Sequence, residues 1–452
     1  MFSIGLDIGT TSVCGILHNT ANGEIIKSIT RENDSFIKTE NSWEKIQSPD
    51  RLIEILYSIL DELLKAEQNV VSIGLSGQMH GIVYIDADGN AVSPLKIWQD
   101  GRGNLKFKDG KTYAQYMSEV SGYQLATGYG AVTYFYDLQN GLVPQNAVSF
   151  CTIHDLAAMK LTASKKPLMH PSNAASLGLY DIKANLFDEQ SISKLGLNFN
   201  MFPTVCNGYT VMGYYKNIPV SVALGDNQAS FLGSVSDMDN SILVNVGTGS
   251  QISCLVNTPP ENSSLDCRPL LDNSYIIAGS SLCGGRAYAI LEKLFREIAT
   301  TVSGCEIGSA YPAMDRITEN LEYCDNPLNV STLFSGTRAN PDERGKIENI
   351  GIENFTMAAL CDGVMCGIAD ELFDFYSAMK PYLCGEKTIM VASGNGVRVN
   401  IALQKRFERI FGMSLKTPLH KEEAAFGASL YALVSAGIYS DINTAQKLLK
   451  YI

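Results

Sequence analysis

The stretch "IGLDIGTTSVCGIL", residues 4–17, decides the fold. It reads as two buried strands, 2–7 and 12–17, joined at Gly9-Thr10-Thr11. A third strand, 24–31, follows the hairpin-forming pair Asn22-Gly23. Ser48-Pro49 then opens a helix on which Leu52, Ile53, Leu56, Ile59, Leu60, Leu63 and Leu64 recur at helical spacing. A strand at 70–75 runs from it into "SGQMHG". Three antiparallel strands, a helix and a further strand predict a mixed α/β sheet covered by helices.

The opening recurs. "ILVNVGTGSQISCL", residues 242–255, aligns with it without gaps at an offset of 238 (Ile242 for Ile4), with Gly9/Gly247, Thr10/Thr248 and Ser12/Ser250 identical. Each copy lies between apolar strand-like runs near the start of one half of the chain, which predicts a duplicated domain. The run "VSVALGDNQASFLGSV", 220–235, lies between the halves, so the expected domains are 1–236 and 237–452.

At 452 residues the chain is long enough for two cores. With 35 basic and 47 acidic residues the net charge is -12, which argues against nucleic acid or an anionic membrane as partner. An anionic ligand must then be held locally by backbone N–H groups, helix N-termini or a cation. Eleven cysteines without a CxxC pair, and no signal-like or membrane-length apolar run, predict a reduced, cytoplasmic protein. Asn262-Ser263-Ser264 and Asn354-Phe355-Thr356 fit the glycosylation pattern, which matters only in a secreted chain.

Glycine, threonine and serine in a turn bring backbone donors close to a phosphate and add hydroxyls, although a lone turn of this kind is more often a plain hairpin bend. Two copies at the mouth of one cleft favour a phosphate clamp. Asp7 ends the first strand beside its turn, and Asp226 follows Gly225 at the end of another. A carboxylate beside phosphates can hold magnesium, and one facing a hydroxyl can take its proton during phosphoryl transfer. For Asp226 a helix N-cap is an equal reading. "DGKTY" at 109–113 lacks the first glycine and the preceding strand of a P-loop.

"SGQMHG" and "WQDGR" place Gln78, His80, Gln99, Asp100 and Arg102 after apolar stretches, beside the flat face of Trp98. That combination suits a polyhydroxylated ligand. "IMVASGNGVRVNIALQKRFERIFG" reads as strand, glycine-rich turn and helix, a form that can hold a nucleotide or be an ordinary turn. "EEAAFGASLYALVSAG" is expected to pack as a small-residue helix beside it, with Glu422 and Glu423 solvated in its first turn.

The ordered set DIGTT, SGQMHG, WQDGR, GDNQ, GTG and SGNG resembles the FGGY carbohydrate kinases, across essentially the whole chain. Within that family the chain is most similar to the sedoheptulokinase branch. "WQDGR", "HPSNAASLGLYDI" (170–182), "SLCGGRAYAILE" (281–292), "FSGTRANPDERGKIENIGIENFT" (334–356), "SGNGVRVN" and "EEAAFGASL" carry that likeness. Xylulokinases share SGQMHG and a GDN trio; glycerol kinases have Arg-Glu where Met79-His80 stand here.

The resemblance implies two ribonuclease-H-like (actin-like ATPase) domains flanking a catalytic cleft, closing over it to exclude water. It implies ATP and Mg2+ as cofactors, a small-molecule sugar as substrate, and leaves a homodimer open. Residue by residue, it makes Asp226 the general base and Asp7, with Asp226, the Mg2+ carboxylates. Thr10, Thr11, Gly247 and Thr248 would hold phosphates. Gly285, Gly394, Asn395 and Asn400 would line the adenosine site, and Gln78, Met79, His80, Trp98, Asp100, Arg102 and Asn227 would meet the sugar. The expected reaction is phosphorylation of a terminal ketose hydroxyl, sedoheptulose first and xylulose second. A non-catalytic sensor on this fold would have no use for a base.

Overall fold

The computed structural model describes every residue except 261–264, 272, 320, 322–325, 338–339 and 341. The Asn262-Ser263-Ser264 pattern and part of the 334–356 stretch lie outside the described residues. The chain divides into two compact units. One comprises Met1–Ser236, Arg268–Ser274 and Glu422–Lys450; the other comprises Asp237–Cys267, Tyr275–Lys421 and Tyr451–Ile452.

In the first unit, β1 (Phe2–Ile8), β2 (Ser12–Asn19) and β3 (Ile25–Glu32) form an antiparallel meander. Helix α1 (Pro49–Ala66) starts where Ser48 accepts the Arg51 N–H at 3.3 Å, and buries Leu52, Ile55, Leu56, Ile59, Leu60 and Leu63. The 3.6-residue recurrence of these leucines and isoleucines makes one apolar face, which packs on β2. β4 (Val70–Gly77) returns parallel to β1 and sets Ser76 opposite Asp7. Later come the short helix α2 (Pro171–Leu177) and strands β5 (Val211–Tyr215), β6 (Ile218–Ser221) and β7 (Leu224–Gly225), then helix α3 (Asp226–Ser234). The sheet order is β5-β6-β4-β1-β2-β3, with β7 also pairing β4.

In the second unit β8 (Ser241–Val246), β9 (Ser250–Val256) and β10 (Tyr275–Ser281) repeat the antiparallel meander. Helix α4 (Gly285–Ser303) follows, and β11 (Ile389–Ser393), helix α5 (Ile401–Phe411) and β12 (Ser414–Lys416) complete the unit's α/β frame. The strands lie in the order β10-β9-β8-β11-β12, with β8, β11 and β12 parallel. The first unit has the same arrangement in β3-β2-β1-β4-β6, so the repeat seen in sequence is a repeat of topology. Its turns close differently. Gly9 N–H bonds Ser12 O, leaving two residues at the tip, whereas Gly247 N–H bonds Gly249 O and leaves Thr248 alone there.

The small-residue helix Glu423–Ser435 belongs to the first unit, where it packs on α3, β4 and β1, whereas the glycine-rich turn at 393–396 belongs to the second. Its small residues serve backbone contact: a Cβ on Gly5 would come within 1.8 Å of the Ala425 carbonyl oxygen, and one on Gly427 within 1.8 Å of that of Ala229. No described helix is long and apolar enough to cross a membrane.

Candidate active site

The first turn is fastened by amides from three other segments. The Thr10 carbonyl accepts from Gln47 Nε2 at 2.9 Å and from Asn33 Nδ2 at 2.9 Å. Thr10 Oγ1 donates to Gln78 Oε1 at 3.2 Å and accepts from Trp98 Nε1 at 2.9 Å. Gln78 is itself held, its N–H on the Ile8 carbonyl at 2.9 Å and its Nε2 on Gln47 Oε1 at 2.9 Å. Thr10, Gln78 and Trp98 therefore meet as one hydrogen-bonded group, and Thr11 stays exposed at the tip. Gln47 and Asn33 carry no motif, so only the fold reveals them.

Asp7 lies at the end of β1, and its Oδ1 accepts from Ser76 Oγ at 2.7 Å. Burial pushes its carboxyl up to about 6; the Ser76 bond pulls it down and the nearby Glu422 charge pushes it up. Asp226 is the first residue of α3, but Gly225 occupies the N-cap and no side chain caps the helix. The cap reading of Asp226 therefore fails. Burial raises Asp226 to about 7, helped by the charge of Asp7 and opposed by the Asn227 backbone bond and by Arg268. Burial is the largest cause at both carboxyls, and Asp226 also feels the charge of Asp7; buried carboxyls shifted towards neutral pH in this way are candidates for a functional site.

Next to Asp226, Asn227 Oδ1 is buried and has no hydrogen-bond partner among the described residues, an acceptor suited to a hydroxyl donor. Glu422 keeps part of its surface in solvent and is also hydrogen-bonded: Thr30 Oγ1 donates to its Oε1 at 3.2 Å, and the Cys14 thiol bonds it too. Among the described residues no three His, Cys, Asp or Glu side chains form a metal cluster. The oxygen donors of Asp7 and Asp226 nonetheless fit Mg2+, which takes one or two carboxylates and completes its shell with water and substrate phosphate.

Met79 is buried over Gly225, where an added Cβ would meet its sulfur at 2.7 Å. His80 adopts φ 71°, an uncommon conformation for a residue with a side chain. Its ring stacks on Tyr129 at 4.6 Å, and Nδ1 lies 2.7 Å from the Ser176 carbonyl, so Nδ1 carries the proton. Trp98 keeps 45% of its surface exposed. Asp100 and Arg102 turn inward instead. Arg102 Nε and Nη2 reach Asp100 at 2.7 and 3.1 Å, Lys45 N–H takes Asp100 Oδ2 at 3.0 Å, and Arg102 Nη1 reaches Asp137 at 2.5 Å. Lys96 joins Asp137 at 3.0 Å, closing a buried ionic network. These two residues brace the WQDGR segment and expose no polar atom for a sugar in this conformation.

In the second unit Gly285 N–H donates to the Gly247 carbonyl at 2.9 Å and Arg286 N–H to that of Thr248 at 3.1 Å, joining the second turn to the start of α4. Gly394 has φ 85° and lies against the Val246 carbonyl, where a Cβ would come within 2.6 Å. Asn395 follows it, exposed. Asn400 is the N-cap of α5, its Oδ1 accepting from Leu403 N–H at 2.9 Å.

Residues 2–233 match the N-terminal domain of the FGGY family of carbohydrate kinases. The chain is similar to sedoheptulokinase of Mus musculus, 26% identical over 95% of this chain and 97% of that protein. It is also similar to glycerol kinase of Aquifex aeolicus, 26% identical over 96% and 90%. The crystal structure of ligand-bound xylulose kinase from Lactobacillus acidophilus has the same fold, with a TM-score of 0.83 at 18% identity over 100% of this chain and 92% of that one. With a family match over more than half its length, the chain belongs to the FGGY carbohydrate kinases, whose sugar kinases use ATP.

Proposed function

We propose that the chain transfers the terminal phosphoryl group of ATP to the terminal hydroxyl of a ketose, converting sedoheptulose to sedoheptulose 7-phosphate. The observation that carries this reading is Asp226, a carboxylate that caps nothing and that burial, with the charge of Asp7 added, holds near neutral pH.

In the mechanism Asp226 accepts the substrate O–H proton as that oxygen attacks the terminal phosphorus and ADP departs with the bonding pair. Asn227 Oδ1 takes a sugar hydroxyl, and Met79, His80 and Trp98 shape the space around it, with Asp100 and Arg102 as braces. The Gly9–Thr11 turn, held by Gln47, Asn33 and Gln78, offers Thr10 and Thr11 to the phosphates. Gly247, Thr248, Gly285, Gly394 and Asn395 serve the nucleotide. Asp7 with Asp226 would hold Mg2+, which when bound neutralises phosphate charge.

Sedoheptulose is favoured by the likeness to the mouse sedoheptulokinase over nearly the full length of both chains. Xylulose is the second reading, favoured by the shared SGQMHG motif and by the fold of the Lactobacillus enzyme. Eleven cysteines without a CxxC pair fit a reducing cytoplasm. An ADP-release assay over ketoses, aldoses and polyols tests the choice. Turnover with sedoheptulose above the hydrolysis background supports the first reading; turnover with D-xylulose alone replaces it. Tight sugar binding without turnover on any acceptor indicates a sensor.

A further inference from the structure

We propose that helix α2 is a positioning bracket for phosphoryl transfer, in which Ser172 and Asn173 fix the segment carrying Asp226 while Ser176 fixes His80. The inference rests on the reading of Asp226 as base and of His80 as a sugar contact.

His-Pro-Ser at 170–172 builds the bracket's first turn. Pro171 starts the helix and His170 caps it, Nδ1 accepting the Ser172 N–H at 3.1 Å. That nitrogen therefore bears no proton. Ser172 Oγ, 2.9 Å away, must donate its own hydrogen to it, which turns the oxygen lone pairs outward. They receive the Gly225 N–H at 3.0 Å, the amide directly before Asp226. Burial keeps the His170 ring neutral, its pKa pushed down to about 3, so the direction of this chain of bonds is fixed.

Asn173 adds a second attachment. Its Nδ2 donates to the Ala223 carbonyl at 2.9 Å, and its Oδ1 lies 2.8 Å from His154 Nε2. Ser172 and Asn173 are both fully buried. The strand leading into Asp226 is thus held at its carbonyl and its amide, two residues apart, by one turn of helix. At the other end of α2, the Ser176 hydroxyl accepts the His80 N–H at 3.1 Å and its carbonyl takes His80 Nδ1 at 2.7 Å. These bonds hold His80 in a left-handed backbone conformation, with φ 71°, that a residue with a side chain keeps only when its surroundings fix it.

One short helix therefore sets the distance between base and sugar contact. Misplacement of a reacting group by about 1 Å costs on the order of 100-fold in rate, and the two ends of the bracket act on different kinetic parameters. Loss at Ser172 disturbs the base and lowers kcat; loss at Ser176 disturbs the contact and raises the sugar KM.

The test measures kcat, sugar KM, ATP KM and Tm for Ser172→Ala, Ser176→Ala, Ser172→Thr and Asp226→Asn, with turnover expressed per ATP-binding site. Ser172→Ala is expected to lower kcat about 10-fold or more with both KM values within about 2-fold, and Ser176→Ala to raise the sugar KM about 5-fold with kcat kept. Ser172→Thr, which retains the hydroxyl, recovers kcat if it folds; should it lower Tm, the KM-against-kcat split of the alanine variants decides. Wild-type kcat in Ser172→Ala, or identical changes in both alanine variants, overturns the bracket. Loss of turnover in Asp226→Asn beside unchanged Ser172→Ala condemns the bracket alone. Full turnover in Asp226→Asn removes the base reading itself.

Discussion

Ser76 Oγ donates to Asp7 Oδ1 at 2.7 Å across the parallel pairing of β4 and β1, whose register sets the two residues side by side. The bond favours the ionised carboxylate against the burial that pushes Asp7 up to about 6. Ser76→Ala removes it, so the acid limb of kcat/KM, which reports the free enzyme, should move to higher pH by about 0.5–1 unit. A pH–rate series on both proteins checks this. An unchanged limb, or one moved to lower pH, would separate Asp7 from the acid-side ionisation.

Asp226→Asn keeps the size and the helix start while removing the proton acceptor. Turnover should fall by about 100-fold to 10,000-fold, the usual range for a general base, with nucleotide affinity held within a few-fold. Steady-state kinetics and equilibrium ATP binding on the same preparation measure both. Because Asp7 and Asp226 interact, the acid limb of the wild-type enzyme belongs to the pair and not to Asp226 alone.

The meander at 2–32, α1 and the internal repeat were legible because burial writes a strong periodicity: both faces of β1 and β2 are apolar, and α1 shows a leucine stripe. The helix 423–435 was legible as small-residue packing but not as to partner, since glycine and alanine say that backbone comes close without saying whose. Glu422, at the start of that helix, keeps part of its surface in solvent, but its bonds to Thr30 and Cys14 come from the fold and have no signal in the sequence. Gln47 and Asn33 reach Thr10 from short segments whose spacing has no period, and Asp100 reads as an open polar residue although Arg102, two residues on, closes upon it.

The contact of that helix with α3 predicts a stability effect. Gly427→Ala drives a Cβ to 1.8 Å from the Ala229 carbonyl oxygen, a backbone atom that cannot rotate away. The loss should be about 3 kcal/mol or more, at the upper end for overpacked cores. Gly308→Ala, where nothing lies within 4 Å, is the control and should stay within about 0.5 kcal/mol. Urea midpoints compare the two, and equal midpoints would contradict the packing.

Asn400 separates a cap from a ligand contact. Asn400→Asp keeps an acceptor for Leu403 N–H and should leave Tm and ATP KM near wild type, whereas Asn400→Ala should cost about 1 kcal/mol. A 10-fold weaker ATP KM in Asn400→Asp at unchanged Tm would return Asn400 to the nucleotide site.

Asp155 makes the ligand-free protein lose stability as pH rises. It is fully buried, its Oδ2 accepting from Thr152 Oγ1 at 2.6 Å, and burial lifts its carboxyl from 3.8 to about 7. The folded chain thus holds this proton more tightly than the unfolded chain does. Its contribution is complete below about 4 and disappears as pH passes through 7, with a slope of at most about 1.4 kcal/mol per pH unit. His154 acts in the opposite sense, its pKa pushed down to about 4 by burial, so it adds stability as pH rises from 4 towards 6.5 and nothing above. His170, pushed down to about 3, does likewise. From pH 6.5 to 8 only the raised carboxyls act among these groups, and the urea midpoint should decline. Asp155→Asn carries no titrating proton and should show a shallower decline over that interval, with Asp226 and Asp7 still contributing. Parallel curves for wild type and variant would mean that Asp155 is already ionised in the folded protein.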